Sequence, residues 1–148
     1  MDQTSRMIAL LGRIRREMNG FIAERMATRR EKYGLNYGVS IATLREIVND
    51  IEPDYEFAKY LYGQQVRELK LAACHIADPK RLDTNEFPFW ARGICSPELA
   101  EELAFALLSK IYDINSLLGV WTTESNEYMA YAALMAGARN ERTTTEVA

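Results

Sequence analysis

The chain has 148 residues, of which 48% are hydrophobic and 26% are charged, and its formal net charge is −3. This composition excludes a largely disordered chain, and the acidic balance excludes a uniformly basic nucleic-acid binder. The apolar runs are too short to span a membrane, and two cysteines with one histidine cannot complete a structural zinc site. We therefore predict a cytoplasmic protein with reduced thiols and without a membrane span.

The first third of the chain predicts an amphipathic helix followed by a connection. The helix is indicated by apolar residues at helical spacing, which are Met7, Leu10, Leu11, Ile14 and Met18. Residues 33–40, YGLNYGVS, contain two glycines and an asparagine, which is typical of a connection. Ser40 predicts the N-cap of the next helix. Pro53 predicts the first turn of the helix after it, and Gly63 its end.

The remaining two thirds continue the helical pattern. One stripe consists of Val66, Leu69, Ala73 and Ile76. Ser96 and Pro97 predict a cap followed by a first-turn proline, and two further helices begin near Ile114 and Tyr128. No segment alternates apolar and polar residues as a half-buried strand does. The predicted fold class is therefore all-α.

A weak internal repeat predicts how these helices are arranged. A shift of 60 residues places Ala72 and Ala73 on Ala132 and Ala133. Small residues at matching places permit close helix packing, which favours a HEAT-like helical-repeat solenoid, an α-α superhelix of stacked antiparallel helix pairs. We predict one such domain over residues 1–140 and a flexible polar tail over residues 141–148.

The charge is unevenly distributed along the chain. Residues 1–35 carry a net charge of +4, residues 36–80 a net charge of −2, and residues 81–148 a net charge of −5. The basic first segment provides candidate phosphate contacts, which are Arg13, Arg16, Arg29 and Arg30. Charges on helices also commonly form only a solvated face, and that alternative stays open.

Four segments of the chain carry a resemblance to a known family; they are residues 37–47, 57–82, 89–110 and 120–139. In this order they resemble the DNA alkylation repair (AlkD-like) family. The resemblance implies a curved stack of HEAT-like helix pairs whose concave face holds duplex DNA. It also implies glycosylase activity toward positively charged alkylated bases, without a metal or an organic cofactor.

The resemblance further implies the site residues. Glu101, in the run PELAE, falls at the position of the family's catalytic Asp, where a carboxylate stabilises positive charge that develops on the sugar. Pro97 replaces a tryptophan of the family's pocket. Ala130 and Tyr131 replace the two arginines of a family pattern whose arginine lies on the DNA backbone. The binding-groove candidates are Trp90, Trp121, Tyr128 and Tyr131, although buried packing is an alternative for the two tryptophans.

These substitutions, together with the acidic second half of the chain, favour loss of glycosylase activity. Two classes of function remain open. The first is a DNA-binding helical-repeat protein of the alkylation repair family, with duplex DNA as its partner. The second is a non-catalytic HEAT-like scaffold that binds a protein or a structured nucleic acid.

Overall fold

The computed structural model describes residues 2–20, 22–23, 33–123 and 126–147, with the backbone alone for 141–147. Within these residues the fold is all-α, as predicted, and contains no β-strand. Its α-helices are α1 (Gln3–Arg16), α2 (Ile41–Val48), α3 (Tyr55–Tyr62), α4 (Arg67–Ile76), α5 (Phe87–Arg92), α6 (Pro97–Ala106), α7 (Ile114–Trp121) and α8 (Glu127–Val147). Short 3-10 turns occur at Pro79–Arg81, Thr84–Glu86 and Leu108–Lys110.

The chain divides into two compact units, Met1–Ala77 and Asp78–Ala148. The N-terminal unit contains α1 to α4, and the C-terminal unit contains α5 to α8. Helix α8 continues through Val147, into the segment that the sequence predicts to be a tail. The single domain over residues 1–140 and the flexibility of residues 141–148 remain predictions.

Most of the predicted helix ends are confirmed. The Ser40 hydroxyl accepts the backbone N–H of Thr43 at the start of α2. The Ser96 hydroxyl does the same for Leu99 at the start of α6, and Gly63 ends α3. These caps satisfy backbone groups that have no partner inside the helix.

The prediction that Pro53 lies in the first turn of a helix is wrong. Helix α3 begins two residues later, at Tyr55, because the Asp54 carboxylate accepts the backbone N–H of Phe57 and so forms the N-cap. An acceptor side chain with extended backbone defines this start more strongly than the proline before it.

The connection over residues 33–40 contains two glycines with positive φ, Gly34 (91°) and Gly38 (71°). A side chain on Gly38 would collide with the backbone carbonyl oxygen of Asn19. The connection then runs beside the start of α4, where the backbone N–H of Arg67 donates to the carbonyl of Leu35 at 2.9 Å. Glycine is therefore required at a turn that brings the chain close to itself.

A buried ion pair, which we call the clamp (Arg67 and Glu68), fastens this connection to α4. The two side chains are 3% and 0% exposed, and the Arg67 guanidinium lies 2.7 Å from the Glu68 carboxylate. The Glu68 carboxylate accepts the backbone N–H groups of Tyr37 and Val39, at 3.0 and 3.2 Å. Arg67 donates to the Val39 carbonyl at 2.8 Å. Both charges are thus compensated, as burial of charged groups requires.

The core of the C-terminal unit is built on two tryptophans and on close helix packing. Trp90 and Trp121 are 0% and 1% exposed, and the Phe87 ring meets Trp121 edge-on at 6.2 Å between centroids. Helix α6 packs against α8, and both helices bury small residues, which are Ala100, Ala104, Ala132, Ala133 and Ala136. This packing fixes the distance between the exposed faces of α6 and α8.

Candidate functional site

A hydrogen bond between α6 and α8 lies at the centre of the candidate site. The Tyr131 hydroxyl on α8 donates to Oε1 of Glu101 on α6, at 2.8 Å. The Glu101 side chain is exposed, and Tyr131 is 41% exposed. The structure therefore joins two of the predicted site residues, which are 30 positions apart in the sequence.

The helix boundaries explain why Glu101 lies at the surface. Helix α6 starts at the Ser96 cap, and its buried face includes Leu99, Ala100 and Leu103. Glu101 belongs to the opposite, exposed side of this amphipathic helix. Its carboxylate lies one turn beyond the helix start.

The Glu101 carboxylate makes the phenol of Tyr131 less acidic. The hydrogen bond to Glu101 raises the pKa of Tyr131 above its usual value, and desolvation and the negative charge of Glu101 act in the same direction. The cause is physical: the ionised phenol would lose its hydrogen bond and face a second negative charge. The hydroxyl therefore remains protonated, and remains a donor, throughout the neutral pH range.

An open cavity of about 470 Å³ lies beside this pair, and we call it the tyrosine cavity (Pro97, Glu127, Tyr128 and Tyr131). Its lining combines two aromatic rings with one carboxylate, and none of these four residues is basic. Glu101 adds a second carboxylate through its bond to Tyr131. Aromatic faces and carboxylates attract cations, so this cavity suits a positively charged or neutral group better than a phosphate.

The two tryptophans predicted for the binding groove lie elsewhere. Trp90 is fully buried and packs in the core, which corresponds to the alternative of buried packing that the sequence left open. Trp121 lies at the wall of a different cavity of about 300 Å³, with Phe87, Pro88 and Met129 among its neighbours. Both indole rings fill the interior of the unit, which is the usual place of large apolar side chains on an amphipathic helix.

The predicted phosphate contacts differ from one another in their surroundings. Arg13 is paired with Asp50 at 3.2 Å, and this carboxylate competes with any phosphate. Arg16 lies exposed in the last turn of α1. Arg29 and Arg30 lie outside the described residues.

Two features of the structure were missed by the sequence reasoning. One is the bond between Tyr131 and Glu101, since no local pattern relates positions 30 residues apart. The other is Arg6, whose guanidinium lies 3.9 Å from the Phe57 ring centroid and 2.9 Å from the Asp54 carboxylate. In the part of the chain that is described, no group of three or more His, Cys, Asp or Glu residues is placed to hold a metal ion. The same residues include no helix with the length and hydropathy needed to cross a membrane.

Comparison with known proteins gives one match. A family model described as DNA alkylation repair enzyme matches residues 13–146, which is nearly the whole chain. Curated proteins and solved structures give no match. The matched range includes Glu101, Tyr128 and Tyr131.

Proposed function

Because the chain belongs to the DNA alkylation repair enzyme family, we propose that it binds duplex DNA that carries a positively charged alkylated base. In this proposal the Glu101 carboxylate lies beside the lesion, and the lesion occupies the tyrosine cavity. The observation that carries the proposal is the Glu101–Tyr131 pair at an open cavity whose four described lining residues include no basic one. Such a lining favours the cationic lesion over an unmodified base.

The proposal includes the HEAT-like arrangement of the helices. The repeat of 60 residues supports it, because Ala72 and Ala73 in α4 are as fully buried as Ala132 and Ala133 in α8. Other equivalent positions differ: Leu71 is 0% exposed and Tyr131, its counterpart, is 41% exposed. The alanines serve helix packing in both segments, whereas the counterpart of Leu71 has become a site residue.

Base release by this chain is proposed to be slow. A carboxylate near the glycosidic bond stabilises the positive charge that develops on the sugar as the bond breaks. Glutamate places this charge about one methylene farther from the backbone than aspartate does, and a misplacement of ~1 Å costs on the order of 10²-fold in rate. Pro97 contributes no aromatic face to the cavity, which further weakens the contact with a cationic base.

Phosphate contacts are proposed for the basic first segment, with Arg16 as an exposed candidate in the last turn of α1. Binding that rests on such contacts releases counterions from DNA and therefore weakens steeply as salt is raised. The cytoplasmic location remains a prediction.

The test is a binding assay with two duplexes that differ only at one base, N7-methylguanine or guanine. We expect tighter binding of the methylated duplex, a steep loss of affinity with salt, and loss of the preference in the Glu101→Gln variant. Glu98→Gln, on the same helix turn, is the matched control and should keep the preference.

A parallel single-turnover assay measures release of N7-methylguanine. We expect slow release by the wild-type protein and only the spontaneous background with Glu101→Gln. Equal affinity for both duplexes together with a flat salt response would refute the proposal, and would favour the scaffold that binds a protein or a structured nucleic acid.

A further inference from the structure

We propose that Tyr131 is a positioning residue that holds the Glu101 carboxylate at one oxygen and leaves the other oxygen to contact the ligand. The inference rests on the proposed function, since the ligand is the cationic base in the tyrosine cavity. The basis is the 2.8 Å bond from the Tyr131 hydroxyl to Oε1 of Glu101. Among the described residues, no other hydrogen bond to this carboxylate is found, so Oε2 is open to a ligand.

Without a hydrogen bond that fixes its side chain, a glutamate positions its carboxylate poorly. Its side chain has three rotatable bonds and loses considerable rotamer freedom when it is fixed in one geometry. The tyrosine ring is rigid, with two side-chain torsions, and it extends from a helix that is packed closely against α6. One hydrogen bond from this ring therefore fixes a carboxylate that would otherwise sample many positions.

The chemical type of the holding residue matters as much as its place. An arginine or a lysine at position 131 would pair with Glu101 and cancel its charge. A phenol donates a hydrogen bond and stays neutral, because its pKa lies above the neutral range and is raised further here. The carboxylate thus keeps its full negative charge for a cationic ligand.

The Tyr131–Glu101 pair lies beside the tyrosine cavity, so the hydrogen bond between the two residues affects ligand binding. The Tyr131 ring is itself part of the cavity lining, together with Tyr128 and Pro97. A ligand in the cavity that contacts this ring therefore lies close to the carboxylate that the hydroxyl fixes. Tyr131 has two separable roles: the ring contacts the ligand, and the hydroxyl orients Glu101.

Three variants separate these roles. Tyr131→Phe keeps the ring and removes the hydroxyl. Tyr112→Phe makes the same chemical change at a tyrosine that is 96% exposed and is not part of the described cavity lining, and it is the matched control. Glu101→Gln removes the charge.

The first measurement needs no DNA. NMR titration of tyrosine labelled at ¹³Cζ follows each phenol, and the signal absent from Tyr131→Phe identifies Tyr131. We expect Tyr131 to titrate above its usual range in the wild-type protein and to move toward that range in Glu101→Gln. An ordinary titration of Tyr131, or one that Glu101→Gln leaves unchanged, overturns the proposal.

The second measurement compares the affinities for the N7-methylguanine and guanine duplexes. Attraction between two exposed opposite charges, here the Glu101 carboxylate and the methylated base, gives a preference of up to about fivefold for the methylated duplex. We expect Tyr131→Phe to lose most of this preference and Tyr112→Phe to keep it. A Tyr131→Phe variant with the wild-type preference overturns the positioning role.

Failure of the proposed function is distinguishable from failure of this inference. If the Tyr131 signal titrates as expected but the wild-type protein shows no preference between the duplexes, the hydrogen bond stands and the assignment of its ligand is refuted. If the preference is present but the titration is ordinary, DNA recognition stands and the role of Tyr131 is refuted.

Discussion

Replacement of Glu68 by alanine should destabilise the protein by about 3–5 kcal/mol, although this residue is far in sequence from the candidate site. The Glu68 carboxylate is 0% exposed and accepts three hydrogen bonds, from the backbone of Tyr37, from the backbone of Val39 and from Arg67. Its removal leaves the Arg67 charge buried beside two backbone donors that have lost their acceptor. A domain of this size is stable by only about 5–15 kcal/mol, so the loss is a large fraction of the total.

The magnitude follows from counting these partners. A hydrogen bond to a charged group contributes about 1.5–3 kcal/mol, and three such bonds in one network do not add fully. The range of 3–5 kcal/mol for a broken buried pair is therefore the appropriate expectation. Glu68→Gln keeps the shape and one acceptor oxygen, so we expect a smaller loss of about 1.5–3 kcal/mol.

The assay is urea unfolding followed by far-ultraviolet circular dichroism. Glu46→Ala, which changes an exposed glutamate of α2 in the same unit, is the control and should change stability by no more than about 0.5 kcal/mol. Both tryptophans of the chain, Trp90 and Trp121, lie in the C-terminal unit. If residues 1–140 are one cooperative domain, tryptophan fluorescence will follow the destabilisation by Glu68→Ala. A loss below about 1 kcal/mol in Glu68→Ala would refute the role of the clamp.

Three further changes test other parts of the structure. Ser96→Ala removes the hydroxyl that caps α6 and should cost ~1 kcal/mol in urea unfolding, and an unchanged midpoint would contradict the cap. Gly38→Ala should cost more than ~1 kcal/mol because its φ is positive, whereas Gly12→Ala in α1, where an added Cβ meets no atom within 4 Å, should stabilise by ~0.5–1 kcal/mol. Arg16→Ala should reduce the slope of log affinity for duplex DNA against log salt by about 0.9, and Arg13→Ala by less because Arg13 is paired with Asp50; equal slopes would contradict this assignment.

The sequence predicted those parts of the fold that depend on local interactions. Ser40 and Ser96 were recognisable as caps because the hydroxyl bonds a backbone group three residues later, within reach of a local pattern. Pro53 misled the prediction because Asp54, the neighbouring residue, is a stronger helix start. Local rules thus identified the caps of α2 and α6 and placed the start of α3 two residues too early.

The buried charges could not be predicted in this way. Arg67 and Glu68 are charged residues in the first turn of a helix, where exposure is the normal expectation. Their partners, Tyr37 and Val39, lie in a connection about 30 residues earlier, and the glycine turn that brings them close is a tertiary feature. Lys70 shows the same limit: it is 5% exposed and donates to the Tyr62 carbonyl at 2.8 Å.

The candidate site was predictable only as separate residues. The resemblance to the repair family selected Glu101 and Tyr131, each for its own place in a motif. Their bond depends on the packing of α6 against α8, which no motif encodes. For Trp90 the sequence left open a place in the groove or buried packing, and the ring is 0% exposed.

Because the candidate site is negatively charged, the phosphate contacts and the base contact of the proposed DNA complex must come from different parts of the chain. Residues 81–148 carry a net charge of −5 and include Glu101 and Glu127, so this segment repels phosphates. Phosphate neutralisation in the proposed complex therefore depends on the first 35 residues, with their net charge of +4. The carboxylates at the tyrosine cavity repel phosphates but attract a cationic base. Alkylation of the base leaves the number of phosphates in the duplex unchanged. Salt should consequently lower the affinity for alkylated and unmodified duplex in parallel, while the ratio of the two affinities reports on the carboxylate.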